Sequence, residues 1–286
     1  MRVLVTGGAG NVGRRISSLL AAHFEVTVYD LAAPPPEIPV RFLRGDILDS
    51  ASLHWAMREQ EAVVHLAAVP VPGRLSDDAV MQVNVLGTQR VAEAAAFGSP
   101  RRLVMASSDS VYGIVFGQGG VRPAYVPVDE QHPVRPADAY GLSKHLGEEI
   151  CRRYARSHGL ETVCLRYCWV FWEETYAALP AWRHQPGAFR QQMWGYIDVK
   201  DVGRAIVAAL QAPEIEHETL VLSARRNFVG RPTIELVREF WGPDVEIRRH
   251  DLYENMPDAS AFDWSRAQRL LGWEPMYDWD SEVPTA

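Results

Sequence analysis

The chain opens with Val3-Leu4-Val5-Thr6-Gly7-Gly8-Ala9-Gly10-Asn11-Val12-Gly13, and this run limits the possible folds more than any other. An apolar, strand-like stretch ends in glycines, and a helical pattern follows at once with Val12, Ile16, Leu19 and Leu20 on one face. A turn of this kind needs backbone without Cβ atoms so that a pyrophosphate can approach the main chain. The helix behind it aims unpaired N–H groups and the positive end of its dipole at the anion. Glycine triplets also occur in turns that bind nothing, so the context decides. The turn follows a strand, opens a helix, and is followed by a second apolar strand, Val26-Thr27-Val28-Tyr29, which Asp30 closes 17 residues after Gly13. That is where a carboxylate for an adenosine ribose is expected. The run reads as Gly8-x-Gly10-x-x-Gly13 or as Gly7-x-x-Gly10-x-x-Gly13, and with Asp30 it predicts a dinucleotide site.

Strand-like and helix-like segments then alternate. Strands are expected over 2–6, 25–29, 40–44, 62–66, 101–106 and 161–166, and helices near 11–22, 49–59, 76–97 and 140–158. The strands carry Val, Leu and Ile almost without alternation, as strands buried on both faces should. The expected fold is α/β: a doubly wound parallel sheet of Rossmann type with a smaller C-terminal α+β substrate lobe. The rhythm changes after Arg166, where a Trp-rich stretch begins (Trp169, Trp172, Trp182, Trp194), and a helix is expected near 199–211. The expected division is a dinucleotide-binding domain over 1–166, to which 196–212 returns, and a small lobe built from 167–195 and 213–286.

Composition narrows the function classes. The 286 residues carry a net charge of −7, and Lys and Arg are scattered, which argues against nucleic acid as a partner. No apolar run reaches the ~18 residues of a membrane span. The N-terminus reads as a folded strand, not as a leader segment. Cys151, Cys164 and Cys168 show neither metal-type spacing nor an even number for a disulfide framework, so no metal is expected and a reduced, cytoplasmic setting is.

Tyr140-Gly141-Leu142-Ser143-Lys144 carries the chemistry. Positions i and i+4 share a helix face, so phenol and ammonium sit side by side. A neighbouring cation favours the phenolate, which suits a general acid/base at an alcohol or carbonyl. Leu142, Leu146 and Ile150 give the same helix an expected buried stripe. Tyr196-Ile197-Asp198-Val199-Lys200 repeats the spacing where a strand meets a helix start, so its side chains need not share a face, and it reads as a decoy. Ser107-Ser108-Asp109-Ser110-Val111-Tyr112-Gly113 follows the strand that ends at Ala106. Ligands bind outside such carboxyl ends in doubly wound sheets.

Together these residues resemble the extended short-chain dehydrogenases/reductases of the NAD-dependent epimerase/dehydratase group, its sugar-modifying branch. Thr6 to Gly13 matches the cofactor turn, and Gly45-Asp46-Ile47 resembles the segment that holds the adenine. His65-Leu66-Ala67-Ala68 resembles the strand end beside the pyrophosphate, and Asn84 matches an Asn of the central helix. Asp263-Trp264-Ser265 through Trp273-Glu274-Pro275 resembles the C-terminal signature. The resemblance implies NAD as cofactor, held by Gly7, Gly10, Asn11, Val12, Gly13, Asp30, Asp46, Ile47, Leu66, Ala67, Ala68, Asn84, Tyr140 and Lys144. It implies Ser108, Tyr140 and Lys144 as catalytic residues. Ser108, Ser110, Tyr167 and Cys168 are the implied contacts to a sugar, and a homodimer through the two long helices is implied as well. For Cys168 a small buried core residue is the competing reading.

The pattern also departs from the family. Trp194-Gly195 stands where an Arg-Asp pair is usual, and Lys200 where an acid is usual. An Arg is the natural partner of a nucleotide diphosphate. The expectation is therefore a dehydrogenase of an aldose or uronate, ahead of an epimerase of the UDP-glucose 4-epimerase kind that keeps its NAD bound. A non-catalytic NAD(H) sensor is the remote alternative.

Overall fold

The computed structural model describes residues 1–116 and 121–282. In chain order the elements are β1 (Arg2–Thr6), α1 (Asn11–Ala21), β2 (Glu25–Asp30), β3 (Arg41–Arg44), α2 (Ser50–Met57), β4 (Ala62–His65) and α3 (Asp77–Val80). A π-helical stretch, Met81–Leu86, joins α3 to α4 (Gly87–Ala96), and β5 (Arg102–Ala106) runs into a 3₁₀ turn, Asp109–Tyr112. Then come β6 (Tyr125–Val126), α5 (Ala139–His158), β7 (Glu161–Tyr167), β8 (Trp169–Phe171), α6 (Glu173–Arg183), β9 (Tyr196–Asp198) and α7 (Val199–Gln211). The chain finishes with β10 (His217–Leu222), α8 (Thr233–Trp241), β11 (Glu246–Ile247), α9 (His250–Asn255), α10 (Ser265–Leu271) and α11 (Trp279–Glu282).

Seven strands form one sheet in the order β10-β7-β5-β4-β1-β2-β3. β1 pairs in parallel with β2 and β4, β4 with β5, and β5 with β7. This is the doubly wound Rossmann-type sheet that the alternation predicts. β4 and β5 are buried along their whole length, which explains why their sequences do not alternate.

The chain separates into two compact units, and their boundaries differ from the expected ones. The first comprises 1–107, 139–165 and 203–219; the second comprises 108–138, 166–202 and 220–286, of which 283–286 lie outside the described residues. Segment 108–138, expected in the first domain, belongs to the second because Val111, Tyr112, Ile114, Val126 and Val128 pack with Phe171, Trp194 and Phe228 in its core. Residues 196–202 stay with the second unit as well, since β9 pairs with β8. β10, expected in the small lobe, instead adds an edge strand to the large sheet.

The core of the first unit gathers Leu4, Tyr29, Val63, Leu103, Met105, Cys151 and Tyr154. At its edge Arg102 is buried and donates through two nitrogens to one oxygen of the Glu161 carboxylate, whose other oxygen accepts from Arg101. The Arg102 guanidinium also donates to the carbonyls of Ala209, Leu210 and Ala212, the orphan acceptors at the end of α7. The C-terminal motif is structural in the second unit: Asp201 accepts N–H bonds from Met276 and Tyr277, and the Trp273 indole donates to its backbone oxygen. Among the described residues no helix is long and apolar enough to cross a membrane.

Removing one partner of a buried, fully bonded ion pair typically costs about 3–5 kcal/mol. Arg102→Met should lower unfolding free energy by that order in a urea titration. A loss below about 1 kcal/mol would show that the pair and its helix-end bonds contribute little.

Candidate active site

The glycine turn is built by close backbone approaches. Gly7 has φ +73°, and a Cβ there would lie 2.4 Å from the Ala67 nitrogen at the end of β4. A Cβ on Gly13 would lie 2.0 Å from the Gly7 carbonyl oxygen. Gly10 is the first flanking residue of α1 and brings no side-chain cap, so the N–H groups of the first turn remain for a ligand. The Asp30 carboxylate accepts from the Ala9 N–H at 3.0 Å and the Ala32 N–H at 3.3 Å, which ties the end of β2 to the turn. Gly7, Gly10, Asn11, Val12, Gly13, Asp30, Leu66 and Ala67 thus belong to one neighbourhood, where Leu66 N–H bonds the Thr6 carbonyl. Ala68 continues the same loop.

Asp46 and Ile47 follow β3. The Asp46 side chain accepts from the Leu48 N–H at 2.9 Å, and Ile47 is buried against Gly87 at the start of α4. Asn84 lies in the π-helical stretch, a local irregularity often found at functional sites. Its amide holds both backbone groups of Val69 and donates to the Ser143 hydroxyl at 2.9 Å, so it pins the loop after β4 to α5. His65 bridges Thr6 and Thr88 through its two ring nitrogens. Burial, aided by the Lys144 charge, pulls its pKa down to about 3, so it serves as a neutral strut.

Tyr140 and Lys144 are buried on one face of α5, with the ammonium 5.7 Å from the phenol ring centre. Lys144 donates to the Ala106 carbonyl at the end of β5, at 2.8 Å. Burial pulls its pKa down to about 8, against the opposing pull of Glu148 and Cys164. The pair is therefore held in a dry site by a bond to the sheet. The expected buried stripe on the same helix is a correction. Leu142 is 38% exposed and Leu146 and Ile150 are only half-buried, because α5 turns its Tyr140, Lys144, Glu148 and Cys151 face inward.

Ser108, Ser110, Tyr167 and Cys168 lie in the second unit. Ser108 accepts from the Ser110 N–H at 3.1 Å and donates to the Asp109 carboxylate at 3.1 Å. The Ser110 hydroxyl is fully buried with no partner among the described residues. Tyr167 is half-buried at the end of β7, and Cys168 is buried, bonded to Asp109 and Ser223. Asp109 adjoins Ser108 in a run otherwise free of charge, and the structure buries it.

Trp194 is a core residue of the second unit, and Trp169 and Trp182 are half-buried against that core. Trp194 is fully buried with its indole N–H on the Pro186 carbonyl, and Trp169 stacks on Trp182 at 4.8 Å. The second Tyr-x-x-x-Lys separates: the Tyr196 hydroxyl bonds Asp278 and the Trp279 N–H, while the Lys200 ammonium lies 4.6 Å from the Tyr277 ring centre. Among the described residues no His, Cys, Asp or Glu cluster is arranged to hold a metal.

Residues 3–222 match the NAD dependent epimerase/dehydratase family. An L-arabinose 1-dehydrogenase (NAD(P)(+)) of Haloferax volcanii is 37% identical over 180 residues, 59% of this chain and 67% of that protein. A putative UDP-glucose 4-epimerase of Methanocaldococcus jannaschii is 34% identical over 179 residues, 60% of this chain and 56% of that protein. Among solved structures, a short-chain dehydrogenase/reductase superfamily protein of Agrobacterium tumefaciens with bound NAD superposes with a TM-score of 0.74 at 27% identity. That likeness covers 99% of this chain and 95% of the other.

Proposed function

Since the chain belongs to the NAD dependent epimerase/dehydratase family, we propose that it is an NAD-dependent dehydrogenase of an aldose or uronate. The observation that carries this reading is the buried Tyr140–Lys144 pair in the unit that also holds the glycine turn. The turn suits NAD: Gly7 and Gly13 let its backbone close without Cβ atoms, and the start of α1 offers N–H groups to a diphosphate. Bound NAD supplies the hydride acceptor, and the protein's share is positioning and proton transfer. Lys144 favours the phenolate of Tyr140, and Tyr140 takes the proton from the sugar hydroxyl. Ser108 is assigned, by the family resemblance, to bind the reacting oxygen.

Two observations favour a small sugar over a nucleotide-linked one. The site of the missing Arg is filled by Trp194, packed in the core, and Gly195, where a Cβ would strike Phe262 at 2.7 Å. A relative at 37% identity is an L-arabinose 1-dehydrogenase. We assign the protein to a reducing, cytoplasmic compartment, in keeping with three free, buried cysteines. A homodimer through α5 and the helical stretch around α4 is supported by apolar side chains left outward: Leu86 just before α4, Leu142 on α5 and Phe97 just after α4 are 39%, 38% and 63% exposed. Sedimentation at micromolar concentration should give twice the chain mass, and a single monomer species would reject the dimer.

Tyr140→Phe keeps the ring and removes the proton carrier. Turnover should fall by about 10²–10⁴-fold while NAD binding, followed by fluorescence titration, stays close to wild type. A variant retaining more than about a tenth of the activity would refute the assigned role.

Asp30 sets the cofactor choice. A ribose diol donates to a carboxylate, whereas a 2′-phosphate repels it by about 4 kcal/mol at ~4 Å and an effective dielectric near 20, before screening. Even about 1.4 kcal/mol is tenfold. The expected preference is NAD over NADP by at least about tenfold in kcat/KM, eroded in Asp30→Ala. Equal use of both cofactors by the wild type would contradict it.

A further inference from the structure

The Ser108 hydroxyl is already engaged in the second unit. Its oxygen accepts from the Ser110 N–H and its proton lies on the Asp109 carboxylate, both at 3.1 Å. A hydroxyl spent in this way has one lone pair left and no proton to give. Yet oxidation of an alcohol builds negative charge on the reacting oxygen, and a hydrogen-bond donor aimed there lowers the barrier. Protonation of Asp109 resolves the conflict. The carboxylic O–H then donates to the Ser108 oxygen, and the Ser108 proton is released for the substrate.

We infer that Asp109 is a positioning residue that sets which way Ser108 donates: inward to the carboxylate when ionised, outward to the reacting oxygen when protonated. This rests on the reading of Ser108 as the residue that binds that oxygen.

The surroundings of Asp109 suit a carboxyl that changes state. It is 6% exposed, and the groups facing it are the Ser108 hydroxyl, its own N–H and that of Ser110, and the Cys168 thiol. Burial pushes its pKa up to about 7, against the opposing pull of those donors. Cys168 is held as a neutral thiol, since burial and the Asp109 charge raise its pKa well above the usual thiol value. Behind it Ser223 bonds the thiol and shares a 2.7 Å bond with Ser260. Other charged and titratable groups of the second unit have partners of their own. Arg166 bonds the Tyr112 hydroxyl, Glu130 accepts the Val221 N–H, and His132 accepts from the Ala124 N–H and packs edge-on against Tyr112.

The sign follows directly. Asp109 is protonated, and Ser108 free to donate, below its pKa; turnover from this cause falls as pH rises through about 7. The test is kcat/KM against pH for the wild type, Asp109→Asn, Cys168→Ala, Ser108→Ala and the Ser108→Ala/Asp109→Asn double variant. An Asn amide donates to the Ser108 oxygen at every pH, so Asp109→Asn should lose the falling limb and exceed the wild type at high pH. Cys168→Ala removes a donor that favours the carboxylate, so the limb should move to higher pH. On the Ser108→Ala background the Asn substitution should change nothing. The same limb in Asp109→Asn as in the wild type would overturn the inference. So would an effect of Asp109→Asn that survives without Ser108. If Asp109→Asn does not fold, the Cys168→Ala limb decides: a limb that stays in place overturns the inference. Ser108→Ala at full activity would instead refute the Ser108 reading and this inference with it. Impaired Ser108→Ala beside an unchanged limb in Asp109→Asn would remove the inference alone.

Discussion

The first unit depends on backbone contacts too close for any side chain. The carbonyl oxygen of Gly7 sits where a Cβ of Gly13 would be, at 2.0 Å, and Gly7 itself lies against the end of β4. These contacts set the start of α1 over the carboxyl edge of the sheet, where its N–H groups meet a ligand. The carboxylate of Asp30 then secures the turn through the Ala9 N–H. Helix–sheet packing here therefore requires the glycines, and the dinucleotide site proposed above rests on the same turn.

The buried ammonium of Lys144 extends the same logic to α5. A charge in a dry environment is costly unless bonded. Here the Ala106 carbonyl takes one bond, and the Glu148 charge offsets part of the burial. The helix register is thereby tied to the end of β5, and the phenol four residues earlier inherits its place. Asn84 and Ser143 add a second tie between the helices. The Tyr140–Lys144 pair thus sits on rigid elements, not on a loop, which suits the proton transfer proposed for it.

Much of this was legible because the local patterns are strong. Unbroken runs such as Val3-Leu4-Val5 and Ala62-Val63-Val64 mark strands buried on both faces, and the parallel, doubly wound sheet follows from their alternation with helices. Other parts depend on distant packing that periodicity does not carry. Val111 and Ile114 read as a continuation of the first domain, yet their contacts are with Phe171 and Trp194, far along the chain. Leu142, Leu146 and Ile150 are spaced like a core stripe, but the buried face of α5 is the polar one, because Lys144 and Glu148 find partners there. Asp109 was visible as a residue and opaque as a group: its meaning lies in the thiol of Cys168, nearly sixty positions later, and in the hydroxyl beside it.

The central claim is net hydride transfer from a small sugar to NAD. It is tested most directly by incubating the purified protein with NAD and a panel of aldoses, uronates and UDP-sugars while following reduced-nicotinamide absorbance and product identity. The account predicts stoichiometric formation of NADH with an aldose or uronate and none with UDP-sugars. Interconversion of UDP-sugars without accumulation of NADH would contradict it and make the protein an epimerase.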